Sequence, residues 1–229
     1  MPAPTRRSVL VFDVNETLLD LEALSPHFGR IFGDPGAMRD WFNGVVLHSQ
    51  SLTLAGEYAD FSAVGAAVLR MLGAIRGVPV ADDDVASIRN TMRALPPHPD
   101  VAPALHRLRD AGFRLATLTN NPAAVCEAQL AAAGLRDLFE RLFSVDDGPR
   151  RYKPAPESYA AVADALDLPP GELCLVACHT WDTLGAAAAG LRSALLLRPG
   201  NAPLAVGPQP DFVASDLADL ADQLLAAHP

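Results

Sequence analysis

The segment VLVFDVNETLLD, residues 9–20, opens with an apolar run that ends abruptly on an aspartate, Asp13. A short continuous apolar run bounded by polar residues is typical of a strand that is buried on both faces of a parallel sheet. Such sheets bind their ligands beyond the carboxyl ends of the strands. The segment therefore predicts a buried first strand that presents Asp13 at the ligand-binding edge, with an aspartate that caps the next turn as the structural alternative.

Apolar runs of this kind recur along the chain and alternate with segments of helical period. The predicted strands lie in SVLVFD, FRLATLT, ERLFSVD, LCLVACH, SALLLRPG and PDFVAS. Leucine and alanine recur at helical spacing in the intervening segments, with glycine at or near their ends, where helix C-caps belong. The repeated strand–helix pattern predicts an α/β fold with a Rossmann-like parallel sheet.

One part of the chain departs from this pattern. Between residues 21 and 96 no convincing strand is found and the sequence has a helical period, while PPHPD at residues 96–100 forms a stiff return because proline fixes φ. We predict a helical cap domain, residues 21–96, inserted into a core domain made of residues 1–20 and 97–229. A larger α/β domain with additional helices is the alternative.

Composition excludes several classes of function. The 229 residues are half hydrophobic, enough for a sizeable core, and the net charge of -9 argues against a nucleic-acid partner, which needs a basic surface. No segment approaches the roughly 20 consecutive apolar residues of a membrane span, and no cleavable apolar leader precedes the first strand. The three cysteines predict reduced, buried thiols. We therefore expect a cytoplasmic protein without a membrane partner.

Polar side chains also follow three other predicted strands. They are Thr119 and Asn120, then Lys153, and then His179 and Asp182. Any one of them could be a turn residue or a solvated charge. Because the carboxyl ends of parallel strands meet at one edge, their joint occurrence predicts a single site in which a hydroxyl, an amide, an ammonium and two carboxylates come together.

With these residues in place, the chain resembles the haloacid dehalogenase (HAD) superfamily. FDVNETLLD matches the first motif, whose aspartate is the nucleophile, and the second, third and fourth motifs supply a strand-end threonine, a lysine and an aspartate. GEYADF, TNN, RYKPAPESY and HTWDTLGAA are most similar to the type II 2-haloacid dehalogenases. The resemblance runs from Val9 to about Pro210 and implies the HAD fold with a helical cap.

The resemblance also implies a reaction. Asp13 would displace halide from a small 2-haloalkanoic acid and form an aspartyl ester, and water would then release a 2-hydroxy acid. Lys153 would keep Asp13 ionised, and Asp182 with Lys153 would position the water. Thr17, Thr119 and Asn120 would donate hydrogen bonds to the nucleophile, the substrate carboxylate or the halide. No cofactor is expected, the partner is a small halogenated carboxylate, and a homodimer is suggested.

Asn15 bears on the leaving group. HAD phosphatases use a second aspartate, two residues after the nucleophile, as acid and base, and further acids to hold Mg²⁺. Asn15 cannot transfer a proton at neutral pH, and Cys178 stands where another acid is expected. A halide leaves as an anion and needs no acid. We therefore predict no metal site, with two alternatives: a Mg²⁺-dependent phosphatase of a small phosphoester, or a weakly active or non-catalytic HAD-like binding protein.

Departures from the pattern of the resembling enzymes concern the substrate pocket. An arginine expected after the cap tryptophan is replaced by Phe42, and Arg39 lies on a neighbouring turn without a demonstrated equivalence. His179 stands where an asparagine is frequent; it is either a group that orients or deprotonates water or a hydrogen-bonded strand-end histidine. Asn15 is also predicted to line the substrate site. The remaining predicted lining residues are Phe61 and Trp181, with core packing as the alternative, and Tyr159, with packing on a helix face as the alternative.

Overall fold

The computed structural model describes residues 9–227. Within this range six strands form one parallel sheet in the order β3-β2-β1-β4-β5-β6. The strands are β1 (Val9–Phe12), β2 (Arg114–Thr119), β3 (Arg141–Ser144), β4 (Leu173–Ala177), β5 (Arg192–Leu196) and β6 (Phe212–Ala214). Five lie within a predicted segment and β5 begins one residue before its own, at Arg192, so the prediction of an α/β fold with a Rossmann-like parallel sheet is confirmed. The predicted core domain also includes residues 1–8 and 228–229, which lie outside the described range.

The first strand occupies the centre of the sheet. β1 is buried along its whole length, and its last residue, Phe12, pairs in register with Thr117 of β2 and Val176 of β4. The carboxyl ends of the three strands therefore reach the same edge. The strand order reverses between β1 and β4, which is the position at which open α/β sheets bind their ligands.

Four helices lie between β1 and the return to the sheet. After a 3₁₀ turn at Leu21–Leu24, they are α1 (Ser25–Phe32), α2 (Ala37–Ala55), α3 (Phe61–Arg76) and α4 (Asp82–Met92). No strand of the sheet lies in this described stretch, as the helical period predicts. The division into a core and an inserted cap domain is consistent with this arrangement and stays a prediction.

The remaining helices accompany the sheet. They are α5 (Val101–Asp110), α6 (Ala123–Ala132), α7 (Pro156–Leu166), α8 (Thr180–Ala188) and α9 (Leu217–Ala227), with 3₁₀ turns at Arg136–Leu138 and Pro170–Glu172. No helix among residues 9–227 is both long and apolar enough to cross a bilayer. All three cysteines are buried and free, which agrees with the prediction of reduced thiols.

Close packing of α2 on α3 shapes the side of the helical segment that faces the sheet. The side chain of Asp60 caps α3 by accepting a 3.0 Å hydrogen bond from the Ala63 amide. The indole of Trp41 on α2 donates a 2.9 Å hydrogen bond to the carbonyl of Gly65 on α3. A Cβ at Gly44 would come within 2.9 Å of Val68, so the glycine permits this approach. Phe42 is thereby directed towards the core.

Candidate active site

Asp13 is the residue that follows the central strand, and its backbone amide continues the pairing of β1 with β4 by donating to Val176 at 3.0 Å. Its two carboxylate oxygens have different partners. Oδ1 accepts a 2.8 Å hydrogen bond from Lys153 Nζ, and Oδ2 accepts a 2.7 Å hydrogen bond from the hydroxyl of Thr17. The carboxylate is therefore held in a fixed orientation at the edge of the sheet.

Lys153 lies between two carboxylates. Its ammonium donates to Asp13 at 2.8 Å, to Asp182 Oδ2 at 2.6 Å and to the carbonyl of Leu118 at 3.0 Å, so all three of its protons have acceptors. The side chain is 0% exposed. Its backbone amide is fixed by a 3.1 Å hydrogen bond to Asn120 Oδ1. One cation thus links the predicted second, third and fourth motif segments to the nucleophile.

The charges of this group perturb one another. Burial opposes ionisation of Asp13, but the charge of Lys153 and the contact with His179 hold its pKa well below the ordinary value. Burial disfavours the ammonium of Lys153, but Asp13 and Asp182 hold its pKa above the ordinary value. Burial raises the pKa of Asp182, Lys153 opposes this rise and the charge of Asp13 adds to it, so that the pKa lies above the ordinary value. Asp13 is consequently the carboxylate that is ionised most readily.

Asp182 lies in the first turn of α8, with no exposed surface. Its Oδ1 accepts a 2.6 Å hydrogen bond from the hydroxyl of Tyr159 on α7, and its Oδ2 is bound by Lys153. A Cβ at Gly185 would lie 2.5 Å from the tyrosine hydroxyl and 2.7 Å from Pro154, so only glycine fits there. Tyr159 therefore orients Asp182, while its role in lining the substrate site stays a prediction.

Thr17 connects the nucleophile to the end of β4. While its hydroxyl donates to Asp13, it accepts a 3.1 Å hydrogen bond from the backbone amide of Cys178. The thiol of Cys178 lies 3.4 Å from the same hydroxyl. Thr17 is completely buried, so both hydrogen bonds are shielded from water.

His179 lies beside the nucleophile, between two aromatic rings. Its Nδ1 is 3.6 Å from Asp13 Oδ2. The imidazole stacks on Trp181 with a centroid separation of 4.9 Å and an interplanar angle of 17°, and Phe42 of α2 covers it at 5.8 Å. Lys153 Nζ lies 5.7 Å from the centre of the Trp181 ring. Three residues predicted for the site, His179, Trp181 and Phe42, are therefore brought together around Asp13.

Glu16 is a site residue that the sequence analysis missed. Its carboxylate is buried and contacts His179 Nε2 at 2.8 Å, Arg39 at 2.5 Å and the side-chain amide of Asn201 at 3.1 Å. Burial raises the pKa of Glu16, but the bonds from His179 and Arg39 hold it below the ordinary value. Its position inside the first motif was the available indication, but a polar residue there is typical of a turn.

Arg39 lies near Phe42 in the chain, where the resemblance predicts an arginine. Its guanidinium binds Glu16 and lies 3.6 Å from Glu22, so its charge is shared between two carboxylates. Phe42 is buried against His179 and Trp41. Arg39 thus reaches the rim of the site from α2 but is committed to Glu16.

A cavity of about 50 Å³ lies beside this aromatic group. Its lining includes Trp41, Phe42, Phe61 and Asn121. The volume suffices for a few water-sized groups. Phe61, predicted to line the substrate pocket, therefore reaches this cavity and also packs against Tyr152 at 5.8 Å.

Asn15, Thr119 and Asn120 make local hydrogen bonds. The amide oxygen of Asn15 accepts from Asn121 at 3.3 Å and from Gln129 at 3.0 Å, within a buried amide network. The hydroxyl of Thr119 accepts from the backbone amide of Asn121, and Asn120 holds the Lys153 backbone. These contacts position the strand-end loops, while roles towards a substrate stay predictions.

One group of side chains in the described range has the composition of a metal site. Ligand atoms of Glu16, Cys178 and His179 lie within 4.8 Å of one another. The nearest pair, Glu16 Oε2 and His179 Nε2, forms a 2.8 Å hydrogen bond, and the other oxygen of Glu16 is bound by Arg39. The donor atoms are thus already engaged with protein partners, and the arrangement is explained without an ion.

Known proteins share both sequence and fold with this chain. Residues 8–190 match the family model of haloacid dehalogenase-like hydrolases. An (S)-2-haloacid dehalogenase of Xanthobacter autotrophicus is 31% identical over 198 residues, which cover 86% of this chain and 77% of the relative. The haloacetate dehalogenase H-2 of a Moraxella species is 28% identical over 207 residues, covering 89% and 91% of the two chains.

Solved structures agree with the sequence comparison. The L-2-haloacid dehalogenase from Xanthobacter autotrophicus superposes with a TM-score of 0.89 and 27% identity, covering 97% of this chain and 100% of that one. The same enzyme with chloropropionic acid covalently bound gives a TM-score of 0.87. The resemblance noted in the strand-end motifs is therefore confirmed, and the chain belongs to the haloacid dehalogenase-like hydrolase family.

Proposed function

We propose that this hydrolase cleaves the carbon–halogen bond of small 2-haloalkanoic acids with Asp13 as the nucleophile. The observation that carries the proposal is the pairing of Asp13 with Lys153: a buried carboxylate, held ionised by a buried ammonium, at the ligand-binding edge of the sheet. The (S)-2-haloacid dehalogenases named among the relatives support the substrate class, and a related enzyme with covalently bound chloropropionic acid supports an ester intermediate.

The reaction takes place in two steps. A carboxylate oxygen of Asp13 attacks the carbon that bears the halogen from the side opposite the halogen, so a carbon–oxygen bond forms as halide departs with the bonding electrons. Water then attacks Cγ of the aspartyl ester, and the 2-hydroxy acid leaves with its oxygen derived from Asp13. The configuration at the substrate carbon is inverted once. No proton is required by the leaving halide.

The surroundings of Asp13 suit this chemistry. Thr17 and Lys153 occupy one oxygen each and fix the direction of attack. The aromatic rings of Phe42 and Trp181 and the adjoining small cavity offer an apolar environment. The organic part of the halogenated substrate would be shielded from water there.

The phosphatase alternative is disfavoured by Asn15, whose amide cannot transfer a proton. Lys153 belongs to a motif of the whole superfamily, so its contacts with Asp13 and Asp182 are compatible with both reactions. The amide of Asn15 is directed into the network with Asn121 and Gln129. Mg²⁺ prefers near-octahedral oxygen ligation, which this donor set supplies poorly.

The proposal is tested by measuring halide release in the presence of a chelator. The substrates are the chloro-, bromo- and fluoroacetates and both enantiomers of the corresponding 2-halopropionates. We expect halide and a 2-hydroxy acid from the wild-type protein and none from Asp13→Asn, while Asp147→Asn, a change at an exposed aspartate, behaves as wild type. In a single turnover in H₂¹⁸O, the label should enter Asp13. Halide release by the Asp13 variant, or a requirement for Mg²⁺, would overturn the proposal.

A further inference from the structure

Glu16 adopts a backbone conformation that is unusual for its type. It is one of three non-glycine residues in the described chain with positive φ, at 65°, and its carbonyl is held by His98 at 2.9 Å. The left-handed region is sterically unfavourable for an L-residue. Its carboxylate is also almost completely removed from water, with 4% of the side chain exposed. Strain and burial together indicate that this carboxylate is needed where it lies.

The strained turn aims Glu16 at His179. Oε2 of Glu16 lies 2.8 Å from His179 Nε2, while Oε1 is bound by Arg39 and Asn201. The imidazole is held between Trp181 and Phe42, so its plane is fixed as well. As a consequence, the second ring nitrogen, Nδ1, is directed at Asp13 Oδ2 from 3.6 Å.

A separation of 3.6 Å is too long for a direct hydrogen bond but allows one water to bridge. A water oxygen placed to one side of the line between the two atoms lies within about 2.8 Å of both. Such a water is adjacent to the Asp13 carboxyl group, which is the group that must be attacked when the aspartyl ester is hydrolysed. We infer that His179 is the base that deprotonates this water and that Glu16 is the positioning residue that orients His179. The inference rests on the proposed function.

Asp182, the other acid near Asp13, is less suited to this role. Both of its oxygens already accept hydrogen bonds of 2.6 Å, from Tyr159 and from Lys153, and it has no exposed surface. Its contacts serve to hold Lys153. His179 has one nitrogen that faces the reacting carboxyl group, and the other is supported by a carboxylate, which is the arrangement of an activated base.

Formation of the ester changes the charge around His179. The groups that face the imidazole are Asp13, Glu16 and Cys178, with Arg39 behind Glu16 and Lys153 across the Trp181 ring. Burial opposes the imidazolium, but the Cys178 sulfur and the two carboxylates raise the pKa of His179 well above the ordinary value. Esterification removes the charge of Asp13, which favours loss of the Nδ1 proton to solvent, where it balances the charge of the departed halide. Ester formation therefore makes the imidazole a better base than it is in the free enzyme.

The proton and electron balance closes. Water attacks Cγ of the ester, its proton passes to Nδ1, and the imidazolium is stabilised by Glu16. The tetrahedral intermediate then collapses and breaks the bond between Cγ and the ester oxygen. The departing alkoxide takes the proton from the imidazolium and becomes the neutral hydroxyl of the product. The second proton of the water, left on the Asp13 carboxyl group, then passes to Nδ1, which regenerates the Asp13 carboxylate and the imidazolium.

The test separates the two half-reactions. Wild type, His179→Gln and Glu16→Gln are mixed with 2-chloropropionate and quenched rapidly, and free halide and the mass of the Asp13 peptide are measured. We expect each variant to release one equivalent of halide per enzyme and to accumulate the ester. Steady-state turnover should fall by about 10² to 10⁴-fold in His179→Gln. In Glu16→Gln it should fall by about 10-fold, because one charge-assisted hydrogen bond is weakened.

Controls keep the outcome interpretable. His106→Asn changes an exposed histidine and should turn over as wild type. If His179→Gln fails to fold, His179→Leu replaces it in the same assay. Loss of the halide burst together with turnover, with no accumulated ester, would overturn the inference while the proposed function stands. Absence of halide and ester from the wild type would overturn the proposed function itself, and the inference with it.

Discussion

The ammonium of Lys153 lies 2.8 Å from the carboxylate of Asp13, and both side chains are buried. In Lys153→Met the stem is retained and the charge is removed, so Asp13 and Asp182 face each other without a cation. Removing one partner of a buried ion pair costs about 3–5 kcal/mol. We expect a loss of stability of that order, measured by urea unfolding, together with loss of halide release.

The double variant Lys153→Met with Asp182→Asn serves as the control. It removes one of the two stranded charges and should recover part of the stability without recovering activity. Equal free energies of unfolding for Lys153→Met and the wild type would show that this ion pair does not stabilise the folded state.

The chain offers a direct chemical test of this burial, because Lys153 is its single lysine. The other basic side chains, apart from histidine, are arginines, which amine-directed reagents do not attack. We expect an amine-reactive ester to modify the folded protein only at the α-amino group, and Lys153 only after unfolding, as followed by peptide mass. Rapid modification of Lys153 in the folded protein would contradict its enclosure between two carboxylates.

Thr17 is expected to matter for both reactivity and stability. Thr17→Val keeps the shape of the side chain but removes the donor to Asp13 and the acceptor for the Cys178 amide. An unsatisfied buried group costs about 1–3 kcal/mol. We expect urea unfolding to show a loss in that range and the rate of ester formation to fall. Thr17→Ser retains the hydroxyl and should lie near the wild type in ester formation; equal rates for the serine and valine variants would exclude the role.

The sequence predicts some parts of this site well, for a physical reason. Asp13 and Asp182 each follow a buried strand, and parallel strands bring their carboxyl ends to one edge, so spacing along the chain becomes proximity in space. Lys153 was found by the same reasoning, although its occurrence as the single lysine is a further indication that was available. The six strands were predictable because each is a short apolar run between turn residues.

Other residues depend on geometry that the sequence pattern does not encode. Glu16 reads as a turn residue, and its importance arises from a left-handed φ and from contacts with Arg39 and His179, which lie far apart in the chain. The pattern likewise does not tell which way a turn side chain points: Asn15 binds Gln129, and its role towards a substrate stays a prediction.

The pH dependence of stability should depend on His179. Its folded pKa is raised, so its contribution to stability is complete below the unfolded value of about 6.5 and is lost as the pH rises through the folded value. The contributions of Asp13 and Lys153 to stability change with pH below about pH 4 and above about pH 10, respectively. Urea unfolding between about pH 6 and 8 should therefore show a decline that is flatter in His179→Asn than in the wild type. His106→Asn should retain the wild-type slope, and an unchanged slope in the His179 variant would contradict the raised pKa.

The resemblance predicts an arginine at the position of Phe42, and Arg39 is committed to Glu16. In Phe42→Arg we expect tighter binding of the substrate carboxylate, with KM lowered by roughly 10-fold or more, since a charge-assisted hydrogen bond contributes about 1.5–3 kcal/mol. The buried ring at 4% exposure is lost, so stability should fall at the same time.

Kinetics with 2-chloropropionate and with the uncharged 2-chloropropionamide separate these effects, because only the KM for the acid should fall. Phe42→Leu, which adds no charge, should favour neither substrate, and an equal gain for acid and amide in Phe42→Arg would show that the new side chain does not bind the carboxylate.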